Sequence, residues 1–206
     1  MVAEATPTSS VAVPDFFWGS DYLIDERMFP DRTGHEYKIY DPTGAPVGRI
    51  RRETPGWHSF MRLFLKRHLL PFSFALLDNG NNRLATISRT WTFRISRIEI
   101  RDPDGNEVGS IRLKRTGPNT RFKMFLDGRK IAEINGDRKS WSFLITDAEH
   151  MPIGAIDKKW AGVNRDTTES PDRYRLSINP QFADGSSRRL LISTAITIDM
   201  VLKASE

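Results

Sequence analysis

The chain has 206 residues, 31 Lys+Arg against 26 Asp+Glu, a formal charge of +5 and a pI near 9.6. All-β barrels of that size form as one unit, and the basic balance favours anionic partners, phospholipid headgroups or nucleic acid, without choosing between them. Cysteine is absent, which excludes a disulfide framework, a thiolate metal site, a thiol nucleophile and palmitoylation.

Residues Met1 to Pro14 are rich in Ala, Thr, Ser, Pro and Val, with an acid at Glu4 and neither a basic n-region nor an apolar h-region. They read as a flexible leader and not as a cleaved signal peptide, which leaves a single domain over 15–206. An opening strand is predicted near Tyr22 to Met28. A phrase then begins that the chain repeats: an apolar or aromatic residue, an apolar residue two later, Asp two later again, then six residues on an aliphatic, Gly or Ala, and Ile. Its first copy is Tyr37/Ile39/Asp41/Val47/Gly48/Ile50.

A helix is predicted between Gly56 and Leu70, where Trp57, Phe60, Met61, Phe64 and Leu65 recur at helical spacing with His58, Arg62 and Lys66 between them. Such a basic amphipathic segment suits an anionic membrane surface or the mouth of a barrel. The phrase returns at Phe74/Leu76/Asp78/Leu84/Ala85/Ile87, at Ile98/Ile100/Asp102/Val108/Gly109/Ile111 and at Phe143/Ile145/Asp147/Ile153/Gly154/Ile156. A copy with a shortened turn occupies Phe122 to Ile134, around Asp127-Gly128. The segments between the halves, such as Asp41-Pro-Thr-Gly and Asp102-Pro-Asp-Gly, carry turn chemistry: Asp caps its own backbone, Pro fixes φ and Gly supplies positive φ. Each copy is therefore a β-hairpin, and a late strand near Arg173 to Ile178 brings the count to twelve.

Period-two alternation puts the small residue and the following Ile of each copy on one face. Small residues repeated there imply that another backbone approaches closely, so something packs inside. Leu190 to Leu202 is the candidate. Wound as a helix it is apolar or small nearly all round, as expected of a helix enclosed by protein, although its β-branched content also permits a strand pairing. At about 1.5 Å per residue it reaches only about two thirds of a roughly 30 Å hydrocarbon core, so no transmembrane helix is expected. Asp199 inside it needs a partner, which a barrel Arg or Lys would supply.

The opposite face points outward and carries Arg49, Arg51, Arg97, Arg101, Arg112 and Lys114, whereas later copies carry Glu133 and Asp157 at matching positions. The positive charge is thus biased to the first half of the barrel, and with Trp57 and Phe60 for shallow insertion it forms a candidate lipid-binding set. Most aromatics fall on the inner face, which ranks nucleic acid below lipid or a protein partner. The histidines His35, His58, His68 and His150 fit no metalloprotease or hydrolase motif and no phosphate-cradling Gly loop is present, so no enzyme is expected.

A run of hairpins ending in one hydrophobic helix resembles the tubby-like C-terminal superfamily, which includes phospholipid scramblases and LURP-one-related proteins. The match to scramblases runs through Ile153-Gly-Ala-Ile-Asp-Lys-Lys-Trp-Ala-Gly-Val-Asn-Arg165, Asp172 to Ile178, and Ala195-Ile-Thr-Ile-Asp-Met-Val201. Arg67 to Asp78 is similar to the LURP-one side. The resemblance covers about Tyr22 to Lys203. It implies a closed twelve-stranded antiparallel β-barrel around a central C-terminal hydrophobic helix. It further implies binding of anionic phospholipid or phosphoinositide, lipid scrambling, or regulatory contact with another protein, in a cytoplasmic protein peripheral to the inner face of the plasma membrane. The fold alone does not choose among these.

The acylated Cys cluster of scramblases is missing here. Their calcium segment corresponds to Arg165 to Asp172, where Asp166, Glu169 and Asp172 remain as candidate calcium ligands, although hard-cation sites want six to eight oxygens.

Overall fold

The computed structural model describes residues 13–27, 36–53, 71–89, 97–116, 119–137, 142–157, 173–182 and 184–204. Twelve strands occur among them: β1 (Asp21–Arg27), β2 (Glu36–Tyr40), β3 (Pro46–Glu53), β4 (Phe72–Asp78), β5 (Arg83–Arg89), β6 (Arg97–Arg101), β7 (Glu107–Thr116), β8 (Asn119–Leu126), β9 (Arg129–Asp137), β10 (Ser142–Asp147), β11 (Pro152–Asp157) and β12 (Arg173–Ile178). Strands adjacent in sequence pair antiparallel, and β1 also pairs with β12, so the sheet closes on itself without an edge. A helix, α1 (Gly185–Ala204), packs inside, and a 3-10 turn at Asp15–Trp18 precedes β1. The expected five hairpins, two further strands and enclosed helix are all present. Residues 1–12 of the expected leader and the helix expected between Gly56 and Leu70 lie outside the described residues.

Asp builds the tight turns. In the β2–β3 hairpin the Asp41 carboxylate accepts hydrogen bonds from the Thr43 and Ala45 amides, both at 2.9 Å, and Gly44 turns the chain at φ +86°. Asp78, Asp102 and Asp147 repeat this with Asn82, Asn106 and Met151 at the closing position. The fourth residue is left-handed each time: Asn81 at φ 67°, Gly105 at 88° and His150 at 68°. In the shortened copy Asp127 (φ 48°) and Gly128 (φ 77°) form the two-residue turn that needs positive φ at both positions. An L-residue in this region costs about 1 kcal/mol. His150→Gly is therefore expected to raise unfolding free energy by about 1 kcal/mol in urea titration, whereas Gly105→Ala lowers it by a similar amount.

The repeated aliphatic has a role that alternation did not reveal. In the β2–β3 pair Ile39 faces Gly48 while Tyr40 faces Pro46, so Val47 is an inserted residue, a β-bulge. The same slip falls at Leu84, Val108, Ile131 and Ile153. A bulge sets two consecutive residues against one partner, and here both turn inward: Leu84 and Ala85 are buried, and Val47, Val108 and Ile131 pack on the core. A second large side chain has no room. A Cβ on Gly48 would lie 2.6 Å from the Leu77 carbonyl oxygen, and one on Gly154 would strike that of Ser177. Of the small residues, Gly109 also meets the helix, 2.7 Å from Leu190 Cδ2. The small residue thus answers chiefly to the neighbouring strand at the bulge and only in part to the helix inside.

From Ser187 to Leu202 every residue of α1 is buried. Asp184 caps its start, accepting from the Ser186 and Ser187 amides at 2.9 and 3.0 Å. Asp199 accepts a hydrogen bond from the Tyr37 hydroxyl at 2.5 Å, which satisfies one of its carboxylate oxygens inside the barrel. Arg188 is fully buried. Its guanidinium donates to the carbonyls of Phe17 (3.0 Å), Gly19 (2.8 Å), Asn179 (3.2 Å), Pro180 (3.4 Å) and Phe182 (3.1 Å), tying the chain before β1 to the chain after β12. Arg189 lies over the Phe17 ring, and burial pushes its guanidinium pKa down against the raising influence of Asp102 and Asp104.

Candidate functional site

All five tight turns lie at one end of the barrel, together with the start of α1; the other end is where β7 passes to β8 and β9 to β10. Approaching that second end, outward positions of three adjacent strands become basic. Arg97 of β6 faces Arg112 of β7, which faces Lys123 of β8, and one step further Lys114 faces Arg121. Residues opposed in this way have Cβ atoms about 5 Å apart, and like charges so placed destabilise the sheet. Five cations therefore occupy a patch three strands wide.

Some are compensated. Arg97 pairs with Glu107 and lies 3.9 Å from Glu99. Arg121 reaches Glu133 at 3.1 Å and Asn135 at 2.7 Å. Glu133 is itself buried beneath the basic side chains. Burial works to raise its pKa, but the Asn135 amide and the charges of Arg121, Lys130 and Lys123 together hold it below the usual carboxylate range. No carboxylate among the described residues lies within ion-pair distance of Arg112, Lys114 or Lys123. Arg112 lies across the Phe125 ring, 4.4 Å from its centroid, which fixes the guanidinium without neutralising it. Lys114, Asn119, Thr120, Arg121, Asn135, Gly136 and Asp137 line a groove of about 540 Å³ along the edge of this patch. Asn135 in turn faces Leu144, a large apolar side chain left 48% exposed.

Of the cations expected from sequence, Arg97, Arg112 and Lys114 are thus brought together. Arg49 and Arg51 lie on β3, with β4 and β5 between them and β6; Arg49 is 3.5 Å from Glu36, and Arg51 is exposed. Arg101 is at the turn end, bound to Glu99 at 2.8 Å and to the Gly105 carbonyl at 2.9 Å. Trp57 and Phe60 lie outside the described residues, as do Asp166, Glu169 and Asp172. Among the described residues no cluster of His, Asp and Glu is placed to hold a metal ion. Sequence reading missed Arg121, Lys123 and Leu144. Arg121 and Lys123 alternate with Phe122 and Met124, so applying the same face rule to the strand that opens the shortened copy finds them.

A closed barrel of hairpins filled by one buried helix is the tubby-like fold. The scramblase family model matches residues 32–202, and the chain belongs to that family. It is 24% identical over 201 residues to a phospholipid scramblase family protein of Schizosaccharomyces pombe, covering 89% of this chain and 52% of that one. It is 23% identical over 193 residues to altered inheritance rate of mitochondria protein 25 of Saccharomyces cerevisiae, covering 80% and 59%. The chain spans between half and three fifths of these relatives. A solved structure of a protein from Arabidopsis thaliana superposes with a TM-score of 0.55 at 11% identity, covering 96% of this chain and all of that one, a likeness of fold. Among the described residues no helix is long and apolar enough to cross a membrane.

Proposed function

We propose that this chain binds anionic membrane phospholipid peripherally, through the outer face of β6, β7 and β8, on the cytoplasmic side of the plasma membrane. The observation that carries this reading is the opposition of Arg97, Arg112 and Lys123 in successive registers, three cations set side by side, of which Arg112 and Lys123 have no carboxylate within ion-pair distance among the described residues. A phosphate-rich surface supplies the missing counter-charge. Leu144 beside the patch offers shallow apolar contact, the part that Trp57 and Phe60 would extend. Arg49 and Arg51 add charge around the wall. Membership of the scramblase family supports the same class of partner. The helix buried in the barrel gives no means of spanning the bilayer, so lipid transfer between leaflets is a separate question, answered by a fluorescent-lipid flip assay.

Each Lys or Arg near an anionic surface contributes roughly 1 kcal/mol, so Arg112→Ala/Lys114→Ala/Lys123→Ala is expected to lower partitioning onto phosphatidylserine vesicles about 100-fold in flotation. Arg129→Ala, at the turn end, serves as the control and leaves partitioning unchanged. Neutral vesicles are expected to bind neither protein. Phosphoinositide vesicles and added calcium, run in parallel, define headgroup preference and ion dependence. Equal flotation of the triple variant and the parent sinks this reading.

A further inference from the structure

At the turn end of the barrel, away from the basic patch, lies an open groove of about 630 Å³, within the range of sites that take organic ligands. It runs between the 3-10 turn that precedes β1 and the turns that join β2 to β3 and β4 to β5. Its surface is largely apolar, supplied by Phe16, Tyr22, Pro42, Val47 and Leu84. The walls are fixed before anything binds. The Tyr22 hydroxyl donates to the Phe16 carbonyl, with the two rings 5.3 Å apart, and Arg188 holds the carbonyls of Phe17 and Gly19. On the other wall the Asn79 amide donates to the Pro46 carbonyl, which ties one hairpin turn to the next.

Around this apolar surface stand Asp15, Asp21, Asp41 and Asp78, and none of the described residues that line the groove is Lys, Arg or His. Asp21 is answered by Arg175 at 2.6 Å. No described cation pairs with the other three. Hydrogen bonds from Thr43 to Asp41 and from Asn82 to Asp78 hold both carboxyls below the usual range, so they are charged at neutral pH. Such a rim repels lipid phosphate, and the groove is no second site for the ligand proposed above. Nor do the carboxylates converge on a common point: among the described residues no group of them is placed to share a metal ion. A fitting ligand therefore carries an apolar group for the floor and separate cations for the rim. Residues 1–12 do not answer that description, with Glu4 and no Lys or Arg.

We propose that this groove docks a basic segment of a partner protein, whose apolar side chains fill the space over Phe16, Val47 and Leu84 while its Lys or Arg side chains meet Asp15, Asp41 and Asp78. Docking here stands apart from lipid binding. The groove belongs to the turn end of β1 to β5 and the basic patch to the outer face of β6 to β8, so one molecule can hold both.

Three fluorescein-labelled peptides of equal length test this on the full chain by anisotropy: one alternating Arg with Leu and Phe, one with Glu at each Arg position, and one with Ser at each apolar position. Only the first is expected to bind at physiological salt. Asp15→Asn/Asp41→Asn/Asp78→Asn leaves an oxygen to accept from the turn amides and is expected to weaken that peptide about tenfold, as the loss of three exposed ion pairs allows. Asp104→Asn/Asp127→Asn/Glu149→Gln removes the same charge from the same end outside the groove and leaves binding unchanged. Pro42→Lys puts a cation on the exposed lip without touching a turn carboxylate, and it is expected to weaken the peptide several-fold even if the groove triple variant fails to fold. Failure of the first peptide to bind, equal affinity for the Ser-substituted peptide, or equal losses in the two triple variants overturns the proposal. Self-association of the parent that Pro42→Lys abolishes assigns the groove to a second copy of this chain and overturns it as well.

Discussion

Replacement of Arg188 by methionine is expected to lower unfolding free energy by about 4 kcal/mol or more, a large part of the 5–15 kcal/mol typical of a domain. Methionine fills much of the same volume, so the loss reports hydrogen bonding more than a cavity. Five carbonyls, from Phe17, Gly19, Asn179, Pro180 and Phe182, are left without their donor, that of Phe17 in a buried bond and the other four in partly buried ones. A buried acceptor left unsatisfied costs about 1–3 kcal/mol, and some of the five relax outward, which sets the figure. A cation in the first turn of a helix opposes the helix dipole, so charge at this position is not the reason for the residue. The fork of five donors is. Arg188→Lys keeps the charge with three donors and is expected to recover less than half of the loss. Urea titration of both variants checks the argument, and a methionine variant within about 1 kcal/mol of the parent refutes it.

Gly109→Val is expected to cost about 3 kcal/mol, at the upper end of overpacking effects. The added Cβ would lie 2.6 Å from the Phe125 carbonyl oxygen and 2.7 Å from Leu190 Cδ2. The leucine can rotate away, but the carbonyl belongs to the β7–β8 ladder and cannot move without breaking it. Leu190→Ala in the same chain is therefore expected not to restore stability. Gly105→Ala, four residues earlier at φ +88° with open space around it, isolates the cost of backbone conformation from that of crowding. Thermal unfolding followed by near-ultraviolet circular dichroism distinguishes the two. If both substitutions cost the same, the close approach at the bulge carries no energy of its own.

The elements that sequence reveals are those set by local chemistry. Asp at the head of each turn and a residue tolerant of positive φ three places on are sufficient to mark a hairpin, because the hydrogen bonds that close it join residues two to four apart. The inner face is equally legible, since a buried strand must alternate. The bulge was visible as an aliphatic-small pair but not as a bulge, because strict alternation assigns the two residues to opposite faces and only the register shows them sharing one. The carbonyl cage of Arg188 draws on residues separated from it by up to 171 positions, and nothing local announces it. The candidate site is intermediate. That Arg97, Arg112 and Lys114 point outward follows from alternation, but their adjacency to Lys123 and Arg121 is a matter of which strands pair and in what register.

The pairing of β1 with β12, and the position of α1 after both, dictates when this protein can fold during its synthesis. No strand pair is closed into a barrel, and no hairpin has its apolar face covered, until a helix made after every strand has left the ribosome. At 5–20 residues per second, β1 waits roughly eight to thirty seconds for the partner that completes it. Throughout that interval a growing row of hairpins presents apolar faces and an open edge to solvent, the kind of surface that molecular chaperones bind. Folding is accordingly expected to follow translation and not to accompany it. A ribosome stalled just before α1 releases a chain with all of its strands and without the helix that fills them.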